Sequence, residues 1–252
     1  MFNIAKVMEP YKLAMFFIYL AWPLALLPVF FEGLQHYAEY KLGMFQAESL
    51  EDFGQQAHNI RIFFGAFKVV SIIVVYVWVA RFFNLERDIG QTVKHSIDEK
   101  ISLLKGAIIS ALFVCLVFII GPFLLKLTNY PFSSIQLALI PLVICMVLTI
   151  PLYRHVYNWY TSVSGQSPLS EREHKSVNRV MLLSLDGIMI PLSSILPLMV
   201  LHYWLGSQAM GSEGINLFML LFLDSFIVGL LAVLVASSFY VLFKTGREKA
   251  KL

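Results

Sequence analysis

The sequence predicts an all-α, polytopic integral membrane protein: one bundle of six transmembrane helices with short interfacial helices in its loops. Three observations predict it. Six mainly apolar stretches, near 13–31, 62–83, 106–125, 135–153, 180–204 and 215–243, are each close to the length needed for a span, which is about 20 residues for about 30 Å of hydrocarbon. Hydrophobic residues make up 58% of the chain and charged residues 14%, with a mean hydropathy of +0.74. A soluble domain carries about 25% charged residues and could not hide so much apolar surface. Finally, basic residues alternate between loops. Of nineteen Lys and Arg, fifteen fall on one side, Lys41, Arg61 and Lys126 on the other, and Lys68 inside a span. The positive-inside bias then places both termini in the cytoplasm, an N-in/C-in arrangement. No loop reaches domain size, so residues 1–252 are read as a single domain.

The segment MFNIAKVMEPYK precedes the first apolar stretch. No small-residue cleavage site follows that stretch, so it is expected to stay as a span and not to leave as a signal peptide. The loop 32–61 is acidic and carries interleaved aromatic residues. Leu34, Tyr37 and Met44 recur at near-helical spacing, and Ser49-x-x-Asp52 resembles a helix start. One or two surface helices are expected there, with Glu39, Glu48, Glu51 and Asp52 as a candidate docking surface for a partner.

Residues 84–100 are polar but place Leu85, Ile89 and Val93 four apart, which gives one apolar stripe. The other long cytoplasmic loop, 154–179, opens with the aromatic and basic RHVYNWY. It breaks at SVSGQSP and restarts where Ser170 and Glu173 stand at capping-box spacing. Each of these loops leads to a span containing proline, Pro122 in one case and Pro191 and Pro197 in the other, so a duplicated hairpin is a candidate repeat. Span five is the least regular. LSLDGIMIPLSSILP puts Asp186, Gly187, two prolines and two serines within twelve residues, and Pro191 must disturb the helix ladder. Span six carries Gly229, Ala232, Ala236 and Ser237 at close-packing spacing, expected to form a seam inside this chain.

Ionisable groups at membrane depth are costly and therefore mark candidate sites. Lys68 in span two and Asp224 in span six each sit roughly 10–14 Å below the outer surface at 1.5 Å per residue, a common depth at which they can pair. Asp186 is placed two turns into span five from the cytoplasmic end. With Ser193, Ser194 and Ser225 these residues make up a candidate polar path lined by spans two, five and six. The competing expectation is a buried Lys68–Asp224 pair that fixes helix register while the prolines merely kink span five.

Several chemistries are set aside. None of the six histidines, His36, His58, His95, His155, His174 and His202, is expected at mid-membrane, which removes facing haem ligands. No HExxH, Cys–His cluster or Gly-rich phosphate loop occurs. Cys115 and Cys145 lie within spans as small apolar residues and offer no disulfide framework. Glu32, His36 and Glu39 share a helical face, but a surface coincidence is expected there, so no metal and no cofactor are assigned. The basic residues are interspersed with acids, so no nucleic-acid partner is expected.

The chain reads as a non-enzymatic membrane component of a transport or secretion assembly, multi-pass in the cytoplasmic membrane of a bacterium. Its partners are the lipid bilayer and other envelope subunits. A second reading is an assembly or regulatory partner docking through the acidic loop 32–61. A third is an intramembrane enzyme with Ser193 or Ser194 as nucleophile and His202 as the nearest base.

Overall fold

The computed structural model describes residues 4–46, 54–85, 87–106, 108–109 and 154–252. These are helical throughout, apart from turns. Among the described residues, four helices are long and apolar enough to cross a membrane, within Lys6–Lys41, Asn59–Asn84, Leu185–Ala209 and Gly214–Lys251. The spans expected at 106–125 and 135–153 lie almost wholly outside the described residues, as do Cys115, Cys145, Pro122, Lys126, Glu48, Glu51 and Asp52.

Helix α1 (Ile4–Lys41) runs ten residues beyond its expected end. The reason is local. Between Phe31 and Lys41 the sequence EGLQHYAEYK has no proline and is rich in Leu, Gln, Ala, Glu and Lys, good helix formers. Termination comes at Gly43, whose φ of +72° suits glycine and whose amide donates to the Tyr40 carbonyl at 2.9 Å. So Glu32, His36 and Glu39 belong to a helix and not to a loop. Pro10, Pro23 and Pro28 lie within α1, and its single non-helical residue, Ala21, falls two residues before Pro23. There proline accounts for the kink. A 3-10 turn, Met44–Gln46, follows α1 and is buried through Met44 and Phe45.

Helix α2 (Gly54–Asn84) returns antiparallel to α1 and is followed by two short helices, α3 (Ile89–Asp98) and α4, the helical residues 100–106. Asp88 caps α3 through the Gln91 amide at 3.1 Å, and Ile89 and Val93 pack against the main core as the stripe predicts. Helix α5, residues 154–163, and α6 (Glu171–Leu183) form the second connector, and the Ser170/Glu173 capping box is present.

Span five moves along the chain. Ser184 is extended, at φ −102° and ψ 153°, and caps the new helix α7 (Leu185–Ala209) through the Gly187 amide at 3.0 Å. A Cβ at Gly187 would collide with the carbonyls of Val180 and Met181, so this tight corner requires glycine. The break therefore lies before Asp186 and not at the prolines. Pro191 and Pro197 are both carried inside α7. Pro197 takes away the amide that the Ser193 carbonyl would have used, and the Tyr11 hydroxyl of α1 donates to that carbonyl at 2.5 Å.

Helix α8 (Gly214–Lys251) is the axis of the bundle, packed against α1, α2, α6 and α7. Its seam is the predicted one: Ala232, Ala236 and Ser237 are buried, and a Cβ at Gly229 would strike Val29 of α1. The start of α1 and the end of α8 meet at one end of the bundle, where Val7 packs on Leu242 and Val180. We call this the terminal end. The opposite end, where α1 and α7 finish, is the far end.

Candidate functional site: an ionisable cluster between four helices

The site is built from helix spacing. Glu32, His36 and Glu39 stand at i, i+4 and i+7 on α1 and so share one face. Arg61 and Lys68 are seven apart on α2 and share another. Because α1 and α2 are antiparallel, the two faces meet as two rungs: Lys68 Nζ lies 2.5 Å from Glu32 Oε2, and Arg61 Nε donates to Glu39 Oε1 at 2.9 Å. On the other side α7 and α8 form a second antiparallel pair, in which His202 Nδ1 lies 2.6 Å from Asp224 Oδ1. His36 joins the two halves. Its Nδ1 is 3.3 Å from Glu39 Oε2, while its Nε2 is 3.0 Å from Asp224 Oδ2 and 3.4 Å from Glu32 Oε1.

Four helices thus converge on one chain of ionisable groups: Arg61, Glu39, His36, Asp224 and His202, with Glu32 and Lys68 attached at His36. It is a dry place. Glu32, Glu39 and Asp224 are 1–2% exposed. Phe45 roofs the cluster, with its ring 6.3 Å from the His36 imidazole, and Phe45 packs on Ala209, Leu217 and Leu221 while its carbonyl accepts from the Gly211 amide at 2.7 Å. An apolar cleft of about 570 Å³ opens beside it between α1 and α8, and His36 and Ser225 supply its polar side-chain atoms along with the tyrosine hydroxyls.

Among the described residues, three buried carboxylates face one ammonium, that of Lys68, whose side chain is 18% exposed; the Arg61 guanidinium sits at the rim at 44%. The imidazole of His36 meets carboxylates at both nitrogens. A neutral imidazole has a single N–H, so one of those faces needs a cation, whether a proton or a metal. Among the described residues, Glu32, His36 and Asp224 are the group whose ligating atoms all lie within 4.8 Å of one another.

The expected site residues divide sharply. Lys68 and Asp224 both belong to the cluster, but they do not pair with each other: Lys68 takes Glu32, and Asp224 takes His36 and His202. Glu39 is buried against Arg61 and His36, so it is no part of a docking surface. Asp186 lies at the terminal end in the first turn of α7, where Lys6 pairs with it at 3.1 Å, and not two turns into a span. Ser193 and Ser194 donate to the Ile190 carbonyl, Ser194 also accepts from Ser238, and Ser225 donates to Leu221. These serines serve helix backbones. His202 points to Asp224 and is not bonded to either candidate nucleophile.

The terminal end has polar centres of another kind. Arg81 is 1% exposed, yet each arm of its guanidinium has an acceptor: the Val163 carbonyl, the Ser96 hydroxyl at 2.8 Å and Glu99 Oε2 at 2.8 Å. Arg247 likewise spans Glu173, Gln166 and Ser167. Partial burial pushes the Glu173 carboxyl up, but the Ser170 amide and hydroxyl and the Arg247 guanidinium outweigh it and hold the group below the usual carboxylate range.

No family model matches this chain, and no similar curated protein or solved structure was found.

Proposed function

We propose that the protein is an integral membrane component of a transport or secretion assembly, and that its working element is a cation-handling site at the far end of the bundle. One observation carries this reading. Among the described residues, three carboxylates and two imidazoles converge between four apolar helices with one partly buried ammonium among them, and charge at membrane depth is costly and marks a pathway or a bound ion. The polar path of the sequence reading is thereby redrawn. Helix α1 supplies Glu32, His36 and Glu39, while span five contributes His202 in place of its serines.

The reading includes six spans in the cytoplasmic membrane of a bacterium, with both termini cytoplasmic. Supporting it are the asymmetry of the basic residues and the meeting of the start of α1 with the end of α8 at one end of the bundle. The cluster then sits toward the external face, closed from above by Phe45 and open sideways through the cleft. The docking reading loses Glu39, its first residue, to burial.

Cation flux into liposomes reconstituted with the purified protein tests the function. The expected result is flux in the wild type and at least a tenfold loss in Asp224→Asn, with an unchanged elution profile in detergent. Equal flux in wild type and variant would overturn it.

A further inference from the structure

We propose that Glu32 Oε1, His36 Nε2 and Asp224 Oδ2 bind a divalent first-row transition metal ion, with Lys68, Glu39 and His202 as positioning residues for the three ligands. The inference deepens the cation-handling reading of this cluster by naming the ion class, but it stands on the coordination geometry alone.

The first support is spacing. Around a tetrahedral ion with bonds of about 2.0–2.1 Å, neighbouring ligand atoms lie about 3.3 Å apart. His36 Nε2 is 3.0 Å from Asp224 Oδ2 and 3.4 Å from Glu32 Oε1, and all three groups fall within 4.8 Å. Small side-chain adjustments admit an ion at their centre.

The second support is the division of labour within each ligand. Every one has two candidate donor atoms, and in every one the atom turned away from the centre is already occupied. Glu32 Oε2 lies against Lys68, His36 Nδ1 against Glu39, and Asp224 Oδ1 against His202. A carboxylate behind a ligating imidazole fixes its tautomer and orientation, and partners of this kind are what hold a metal's ligands in place. The three remaining atoms, Glu32 Oε1, His36 Nε2 and Asp224 Oδ2, are thereby left facing one another at a common point.

The third support comes from groups left over. Glu32 is 1% exposed, and its Oε2 lies 2.5 Å from the Lys68 ammonium. Beside it on α1, Gln35 is 8% exposed; its amide nitrogen donates to Glu39 at 3.0 Å, and its Oε1 accepts nothing. A buried acceptor without a donor is rare, and among the described residues Gln35 Oε1 is one beside the cluster. An ion supplies the missing positive charge.

Ligand chemistry selects the metal class. One imidazole with two carboxylates suits zinc, manganese or ferrous iron; it lacks the thiolate that favours cuprous copper and the all-oxygen shell of calcium or magnesium. Three protein ligands leave a position open toward water or a passing ligand, on the side where the cleft reaches His36 and Ser225.

The test uses the full-length purified protein, stripped with a chelator and titrated with Zn²⁺, then with Mn²⁺, against a Mg²⁺ control. The expected result is one Zn²⁺ per chain, with affinity at least a hundredfold lower in Asp224→Asn and about tenfold to a hundredfold lower in Glu39→Gln, the range for an orienting partner. X-ray absorption of the wild-type zinc complex needs no variant and should show one imidazole nitrogen with oxygen ligands. Failure of the wild type to bind Zn²⁺ or Mn²⁺ more tightly than Mg²⁺, or a bound metal without an imidazole ligand, overturns the proposal and leaves a proton as the missing cation. Metal binding without cation flux would keep this inference and remove the transport reading; flux without metal binding would do the reverse.

Discussion

Two buried ionic centres in this bundle look alike from the sequence and differ in arithmetic. At the terminal end Arg81, which is 1% exposed, gives each arm of its guanidinium to a separate acceptor on α5, α3 or the turn residue between α3 and α4. Donors and acceptors match, and the residue ties connectors to the bundle. At the far end, among the described residues, the three carboxylates outnumber the Lys68 and Arg61 cations, Gln35 Oε1 has no donor, and one imidazole faces acids from both nitrogens. Burial of a charge is therefore a poor marker of function. A surplus of carboxylates over lysine and arginine partners is the better one, because a matched network is complete without a guest.

The largest effect that would break this comparison is expected at Arg81. Arg81→Met removes the donors to Val163, Ser96 and Glu99 and should cost about 3–5 kcal/mol, the range for breaking a buried ionic network. The check is thermal unfolding in detergent, together with cation flux per folded molecule, which should not change. A loss of flux with retained stability would mean that the terminal end is also part of the working site.

Lys68→Met comes next. It leaves Glu32 buried without its ammonium, and about 3 kcal/mol of destabilisation is expected, toward the lower end because Lys68 keeps some contact with solvent. Adding Glu32→Gln to the same chain should recover at least half of that loss. No recovery would show that Glu32 is stabilised by something other than Lys68.

A packing change sharpens the comparison from the apolar side. Gly229→Ala forces a methyl group against Val29 where α8 crosses α1, a few residues from the cluster. Overpacking of this kind costs about 1–3 kcal/mol. The variant should also weaken cation binding, since it separates the helices that carry His36 and Asp224; unchanged binding would place the site's rigidity elsewhere.

The smallest effect lies at the Arg247 clasp. The folded value of Glu173 is lowered, so its contribution to stability is complete above the ordinary glutamate value of about 4.3 and disappears as pH falls through the lowered folded value. The difference in melting temperature between wild type and Glu173→Gln should be steady near neutral pH and should close on acidification below pH 4. A difference that grew on acidification would reverse the sign of the argument.

Much of the bundle is written in the sequence as hydropathy, since apolar length is what a bilayer demands. The amphipathic stripe of α3, the Ser170/Glu173 box and the Gly229 seam were likewise legible, because each is a local pattern with one physical cause. The end of α1 was misplaced because charge in 32–41 resembles a loop, although nothing there breaks a helix. Span five was misplaced because prolines draw attention, whereas Ser184 and Gly187 make the actual corner.

The site was half legible. Lys68 and Asp224 stood out as charges at depth, but their partners lie at matched distances across turns. Glu32 and Lys68 stand eighteen residues either side of residue 50, and Glu39 and Arg61 stand eleven. His202 and Asp224 stand eleven either side of Glu213. An antiparallel pair brings such residues to one level, so mirror spacing, and not depth alone, was the signal that would have found His202, Glu32 and Glu39. Joining the two hairpins through His36 required the structure, because no local rule sets how α1 packs on α8.

The central claim is that the far-end cluster binds a cation and the terminal-end centres do not. Thermal unfolding of wild type, Asp224→Asn and Arg81→Met, each with and without Zn²⁺, measures it directly. Ligand at about a hundred times its dissociation constant adds about 2.7 kcal/mol, so the wild type should melt several degrees higher with the ion. Asp224→Asn should fold yet show no rise, and Arg81→Met should start lower and rise by as much as the wild type. An equal rise in Asp224→Asn, or none in the wild type, would contradict the account.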